Sequence, residues 1–278
     1  MQAGIQALAA PLPSVLAAPS VQPAALGPRD LERLAQRAWP ALEEQWLDGW
    51  LLRFSQGYTR RANSVAALAA GSLPLTEKIA QCRAEYRRRG LPLIFRIAPS
   101  SEPPQLDGVL AAAGYRSEAE TITQVASLGE LSTACHPAVH TWSRATDEWL
   151  AAYHHCGGVA GADVPLLRQA LAKGTAPSLF VALHTHGEPV SCAMGVLDRG
   201  YLGVYSVVTA VGHQRRGHAR ACISALARWA SERGGEHAHL QVLAGNQPAR
   251  RLYARLGFRT AYRYWYRVET SPTRTPSA

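Results

Sequence analysis

The apolar residues of the second half of the chain follow two different periods. In "PSLFVALHTHGEPVSCAMGVLD" and "GYLGVYSVVTA" they alternate or form short unbroken runs, which predicts two strands about a Gly-Glu-Pro turn and then a third strand. The period then lengthens. Across residues 214–234, Ala219, Ile223, Leu226, Ala227 and Ala230 fall at helical spacing, and Gly234-Gly235 ends the helix. "HAHLQVLA" reads as a strand, "QPARRLYARLG" as a short helix stopped by Gly257, and "FRTAYRYWYRV" as a last strand.

The first half repeats this order more faintly. "LDGWLLRFSQGYTRRANSVAAL" predicts paired strands, "TEKIAQCRAEYRRRG" a helix, "LPLIFRIA" a strand, "QLDGVLAAAGY" a helix and "TITQVASL" a strand. Gly90 precedes Gly234 by 144 residues and Gly114 precedes Gly257 by 143, so "LAAAGYR" lies over "YARLGFR". A shared order at a nearly constant offset predicts a duplication. The expected class is α/β with mixed sheets flanked by helices. The expected parts are a disordered Ala/Pro-rich leader over residues 1–28, a degenerate repeat over 29–140, an intact repeat over 141–270 and a disordered tail over 271–278.

Composition is that of a globular chain, with 278 residues, 47% hydrophobic and 18% charged. No apolar stretch reaches the roughly 18 residues of a membrane span. The leader has no Lys or Arg before Arg29, and Pro11, Pro13 and Pro19 interrupt its apolar run, which argues against a secretory signal. Five cysteines without a CxxC pair argue against a disulfide framework or a zinc site and fit a reducing cytoplasm. The net charge of +9 is uneven: residues 1–142 hold 13 basic and 12 acidic side chains, the remainder 16 and 8. An anionic partner is therefore expected at the C-terminal half.

"HQRRGHARA" lies between the third strand and the long helix of that half. The first turn of a helix carries unpaired N–H groups and the positive end of the macrodipole, so a loop turning into it suits a phosphate. Gly217 permits close backbone approach, Ala219 keeps the next position small, and Arg215, Arg216 and Arg220 add charge. A basic loop with a glycine turn is the plainer alternative. The next element favours the phosphate: in "NQPARRLYARLGF", Asn246 follows a strand and Tyr253 stands seven residues on, close to two helical turns, so both project from one face.

Together these residues resemble the acyl-CoA-binding core of the GCN5-related N-acetyltransferase (GNAT) superfamily: Q/R-x-x-G-x-G/A opening a helix, then Asn and Tyr before "LGF". The likeness covers about residues 178–268. The proline usual before the loop is Val211 here, and the second small residue is Ala219 rather than glycine. The resemblance implies a tandem GNAT fold with acetyl-CoA as co-substrate and no metal. Gln214, Arg215, Arg216, Gly217, His218, Ala219 and Arg220 would hold the pyrophosphate. Val208, Thr209, Ala210 and Val211 would bond the pantetheine arm, with Asn246 beside it. Tyr253 would protonate the leaving thiolate as general acid. Cys222, inside the helix, reads as a core residue.

The acceptor side is less defined. Asp163, in the Gly-rich "GGVAGADVP", is a candidate base. Ser206 or Tyr205 must face the cleft if the strand alternates. Arg60, Arg61 and Asn63 form either a seam between the halves or a surface facing substrate, and Trp46, Trp50 and Tyr58 are candidates to line the cleft. Over its whole length the chain is similar to tandem GNATs that include kasugamycin-type aminoglycoside 2′-N-acetyltransferases. This implies antibiotic resistance and a small-molecule amine as partner, with a monomer or homodimer expected; no membrane partner is expected, and nucleic acid is disfavoured because the phosphates of CoA already account for the clustered arginines. A protein lysine or N-terminal amine as acceptor, and a non-catalytic CoA sensor, stay open. A polycationic acceptor would need local acidity from residues such as Asp147, Glu148 and Asp163.

Overall fold

The computed structural model describes residues 26–270. The expected tail, and all but the last three residues of the expected leader, lie outside the described residues. Of those three, Pro28 already begins helix α1 (Pro28–Ala38), at the position where a missing N–H costs nothing. The first half continues with β1 (Glu43–Leu47), β2 (Trp50–Phe54), β3 (Val65–Ala67), α2 (Leu75–Arg88), β4 (Ile94–Ile97), α3 (Leu106–Ala112) and β5 (Arg116–Ser127). The second holds β6 (Val139–Trp142), α4 (Asp147–His155), α5 (Val164–Ala172), β7 (Ser178–Thr185), β8 (Glu188–Asp198), β9 (Tyr201–Thr209), α6 (His218–Ser231), β10 (His237–Leu243), α7 (Gln247–Arg255) and β11 (Arg259–Val268).

All eleven strands form one mixed sheet in the order β1-β2-β3-β4-β11-β5-β10-β9-β8-β7-β6. The last strand of each half is exchanged: β5 pairs with β10 and β11 with β4, both antiparallel, and β5 and β11 pair with each other. The two parallel pairings, β3 with β4 and β9 with β10, occupy matching places in the two halves. The matching glycines end matching helices in the same way. Gly114 and Gly257 both take positive φ, and the residue after each donates its N–H back, Tyr115 to Leu110 and Phe258 to Tyr253.

Helices cover both faces of the second half, which is why β7 and β8 read as nearly continuous apolar runs. Val181, Leu183 and Ala193 pack with α6 residues such as Ile223 and Leu226. Phe180, Ala182, Cys192 and Met194 face the other way, toward Trp149, Leu150 and Tyr153 of α4. In the first half, Trp50, Leu52, Val65 and Phe95 pack with Ile79, Cys82, Tyr86 and Leu110 of α2 and α3. Helix α1, which the hydrophobic pattern leaves unassigned, lies where the halves meet. Its buried Glu32 accepts hydrogen bonds from Arg96 Nε (2.5 Å) and Nη2 (2.8 Å) and from the Tyr262 hydroxyl (2.6 Å), tying α1 to β4 and β11.

Candidate functional site

The site grows from a defect in strand β9. It pairs with β10 only as far as Val204 opposite Leu240, although both strands run further. On the β8 side the register shifts between Cys192 and Met194, and Ser206 takes a positive φ of 53°. This is a β-bulge, which bends the strand and re-aims its side chains. Strict alternation would send one of Tyr205 and Ser206 into the cleft. The bulge breaks the alternation, and both residues line the same cavity. The sequence carries no glycine at that position to announce it.

Beyond β9 the backbone turns through left-handed residues at Gly212, Arg215 and Gly217 before α6 begins at His218. The helix expected from residue 214 therefore starts four residues later, because Arg215 and Gly217 hold αL conformations that a helix excludes. Gly217 caps α6 at φ 86°, and no acidic side chain occupies the first turn. The free N–H groups at this helix end, with Arg215 and Arg220 beside them, suit an anion. Opposite stands α7, whose N-cap is Asn246. Its side chain accepts the Ala249 N–H at 3.1 Å, and Pro248 fills the first turn. Asn246 is thus fixed as the cap that starts the helix carrying Tyr253.

Between the loop, the end of β9 and α7 lies a cavity of about 1,070 Å³. Val208, Thr209, Gln214, Arg215, Gly217, His218, Ala219, Arg220, Asn246 and Tyr253 line it, whereas Ala210, Val211 and Arg216 lie outside the lining, with Val211 92% exposed. His213 also lines it. The His218 imidazole is held below its ordinary range by desolvation and by the neighbouring His213 and Arg216 charges.

A second cavity, about 430 Å³, lies toward the first half and is lined by Trp39, Tyr58, Thr59, Arg61, Tyr153, Asp163, Tyr205, Ser206 and Gln241. The two cavities share Val207, Asn246, Ala249 and Tyr253. Tyr253 is buried against Phe258, and burial pushes its phenol up to about 12. Burial also raises Tyr58, Tyr153 and Tyr205. Asp163 stands at the N-cap position of α5 without a side-chain capping hydrogen bond and lines this cavity.

Other expectations fall elsewhere. Trp46 is 65% exposed. Trp50 is fully buried in the first-half core, where its indole N–H donates to the Glu102 carbonyl at 2.8 Å. Neither lines the cavity, because β1 and β2 lie at the far edge of the sheet. Asp147 pairs with Arg168, and Glu148 accepts the Trp142 indole N–H at 2.9 Å. Cys222 is a core residue, 0% exposed, with its thiol pushed up to about 12 by burial. Among the described residues all five cysteines are free, no group of acids, histidines and cysteines stands together to hold a metal ion, and no helix is long and apolar enough to cross a membrane.

The overall fold is shared with solved acetyltransferase structures. A GCN5-related N-acetyltransferase from Kribbella flavida superposes with a TM-score of 0.63 at 18% identity, over 89% of this chain and 98% of its own. A tandem GNAT protein from the clavulanic acid biosynthesis pathway gives 0.54 at 16% identity, over 71% and 70% of the two chains. The fold is that of a GNAT N-acetyltransferase. Residues 27–267 match the family model described as the C-terminal region of the probable histone acetyltransferase Rv0428c, and the chain belongs to that family. It is 27% identical to the uncharacterized N-acetyltransferase YobR of Bacillus subtilis over 87% of this chain and 98% of that protein. It is 34% identical to the probable histone acetyltransferase Rv0428c of Mycobacterium tuberculosis, over 45% of this chain and 38% of that protein.

Proposed function

We propose that the protein transfers the acetyl group of acetyl-CoA to a primary amine of a small molecule, and that its two halves arose by duplication, with only the second keeping a CoA loop. One observation carries the reading: Tyr253 lines both the cavity beside the α6 loop and the cavity facing the first half. The larger cavity fits acetyl-CoA. A left-handed glycine opens a helix there, no carboxylate lies in the first helical turn, and arginines flank it. Gln214, Arg215 and residues 217–220 would bind the pyrophosphate, and β9, unpaired beyond Val204 on one side, would offer main-chain groups to the amides of the pantetheine arm.

When bound, acetyl-CoA supplies a thioester whose acetyl group passes to the amine while coenzyme A leaves as the thiol. The Tyr253 hydroxyl, protonated at neutral pH as any phenol is and held further from ionisation by burial, gives a proton to the departing sulfur. Asp163, at the mouth of α5, takes the proton that the attacking nitrogen must lose. Ser206, aimed inward by the bulge, orients the amine.

The acceptor cavity is lined by one carboxylate, Asp163, and one guanidinium, Arg61. That balance suits an amine with few positive charges. Among aminoglycosides it suits those with few amines, and a kasugamycin-type acceptor is retained on that ground. A protein lysine is the second reading, favoured by the family description. The test is thiol release from acetyl-CoA against kasugamycin, other aminoglycosides, polyamines, amino acids and lysine peptides, with Tyr253→Phe as control. Turnover of a small amine that is slowed in the variant supports the reading. Turnover of lysine peptides alone would replace it with the protein-acceptor reading.

A further inference from the structure

Six residues that line one cavity each carry a buried polar atom with no hydrogen-bond partner within the protein: Trp39 Nε1, Thr59 Oγ1, Arg61 Nε, Tyr205 Oη, Ser206 Oγ and Gln241 Nε2. They are half of the twelve such atoms among the described residues. A buried polar group left unpaired is costly, so a cluster of them calls for a ligand. Their chemistry is one-sided. The indole, guanidinium and amide nitrogens only donate, the three hydroxyls donate or accept, and none of the six only accepts. The ligand must therefore be rich in acceptor oxygens.

The cation is placed by design of the chain. Arg61 lies in a short turn after β2, with its guanidinium 5.3 Å from the Trp39 ring centre and 5.9 Å from that of Tyr205. Its neighbour Arg60 pairs with Glu118, whereas no ion pair among the described residues involves Arg61. Buried Asn63 pins the turn. Its Oδ1 accepts from the Ser55 and Gly57 N–H groups at 2.7 and 3.0 Å, and its Nδ2 donates to the Tyr58 and Thr59 carbonyls at 2.7 and 2.9 Å. Arg53 holds the turn from below by donating to the Arg61 carbonyl at 2.7 Å and to the Trp39 carbonyl at 2.5 Å. Arg60 pairs within the first half, and of the two arginines in "GYTRRANSV" it is Arg61 that lines the cleft.

We infer that the acceptor is an amine that also bears a carboxylate, an amino-acid-like zwitterion. The carboxylate is bound by Arg61 with Trp39 and Thr59, and the amino group is turned toward Asp163 and Ser206. A planar guanidinium backed by aromatic faces matches a carboxylate better than it matches a neutral oxygen. The single lining acid, Asp163, meets the single positive charge of such a substrate. This rests on the acetyl-transfer reading and adds the acceptor's second group to it.

The test uses the full chain with acetyl-CoA and matched pairs: proteinogenic amino acids and β-alanine, each beside its amide or decarboxylated amine. Acetyl-CoA binding is followed separately by calorimetry. At least one carboxylate-bearing amine should be acetylated with a kcat/KM about tenfold or more above its uncharged partner, the range of a charge-assisted hydrogen bond. Arg61→Gln should collapse that ratio through KM, and Arg61→Lys should restore part of it. Equal turnover of both members of every pair would overturn the inference, and so would an unchanged ratio in Arg61→Gln. Failure of every carboxylate-bearing amine in a chain that binds acetyl-CoA would also overturn it. Failure to bind acetyl-CoA would instead remove the acetyl-transfer reading itself.

Discussion

The guanidinium of Arg61 stands 5.9 Å from the centre of the Tyr205 ring. Arg61 belongs to a turn of the first half and Tyr205 to strand β9 of the second, so the cleft beside β9 is closed by the first half. The exchange of β5 and β11 joins the halves in one sheet, because each half supplies a strand to the other's side. A single covalent chain thereby builds both walls of this cavity.

Tyr253→Phe should lower kcat by about a hundredfold or more, the usual contribution of a general acid, while acetyl-CoA binding stays close to that of the wild type. The ring keeps its packing on Phe258, so the melting temperature should hold. Steady-state kinetics across pH adds a check. A phenol held at about 12 gives the wild type no basic limb from this residue until that pH is approached.

Gly217→Ala isolates the loop conformation. A methyl group there meets no protein atom within 4 Å, so the chain's own penalty comes from the positive φ of 86°. That costs roughly 1–2 kcal/mol. The KM for acetyl-CoA should rise about tenfold with kcat less affected, and Gly217→Asn, which tolerates the left-handed region, should recover part of the loss.

Glu32→Ala should destabilise the fold by about 3–5 kcal/mol, read from urea unfolding, because it strands the buried Arg96 guanidinium without its carboxylate. Acetyl-CoA binding in the folded fraction should persist, since Glu32 lines neither cavity.

His239 predicts a pH dependence of stability. It is 2% exposed, its Nδ1 has no partner, and desolvation holds its imidazole down at about 4. An unfolded imidazole titrates near 6.5, so between those values the unfolded chain binds the extra proton and stability falls as pH drops. From pH 7 to pH 5 the loss attributable to His239 should be about 2 kcal/mol. Chemical denaturation at the two pH values should show that difference shrinking in His239→Gln.

Much of this was legible in the residues. The period change after β9 located α6, and the glycines ending matching helices exposed the repeated element order before any coordinates. The spacing of Asn246 and Tyr253 placed them together on one wall. What stayed hidden has physical causes. The bulge at Ser206 and the left-handed Arg215 are backbone conformations in residues that do not advertise them, so strand alternation and the start of α6 were misjudged there. The exchange of β5 and β11 is a matter of long-range pairing that no local pattern encodes. The resemblance to tandem GNATs, whose degenerate half commonly completes the cleft, makes Trp46 and Trp50 cleft candidates, but only the strand order shows β1 and β2 at the edge of the sheet, remote from β9. Asn63 and Arg53 carried no motif, and their part in holding Arg61 emerges only from their hydrogen bonds.

The central claim is that the loop from Gln214 to Arg220 is built for the phosphates of acetyl-CoA. Isothermal titration of the full chain with acetyl-CoA, with no acceptor present, tests it most directly. The account predicts saturable binding that weakens with added salt and in Gly217→Ala. Absence of saturable binding at any salt concentration would contradict it.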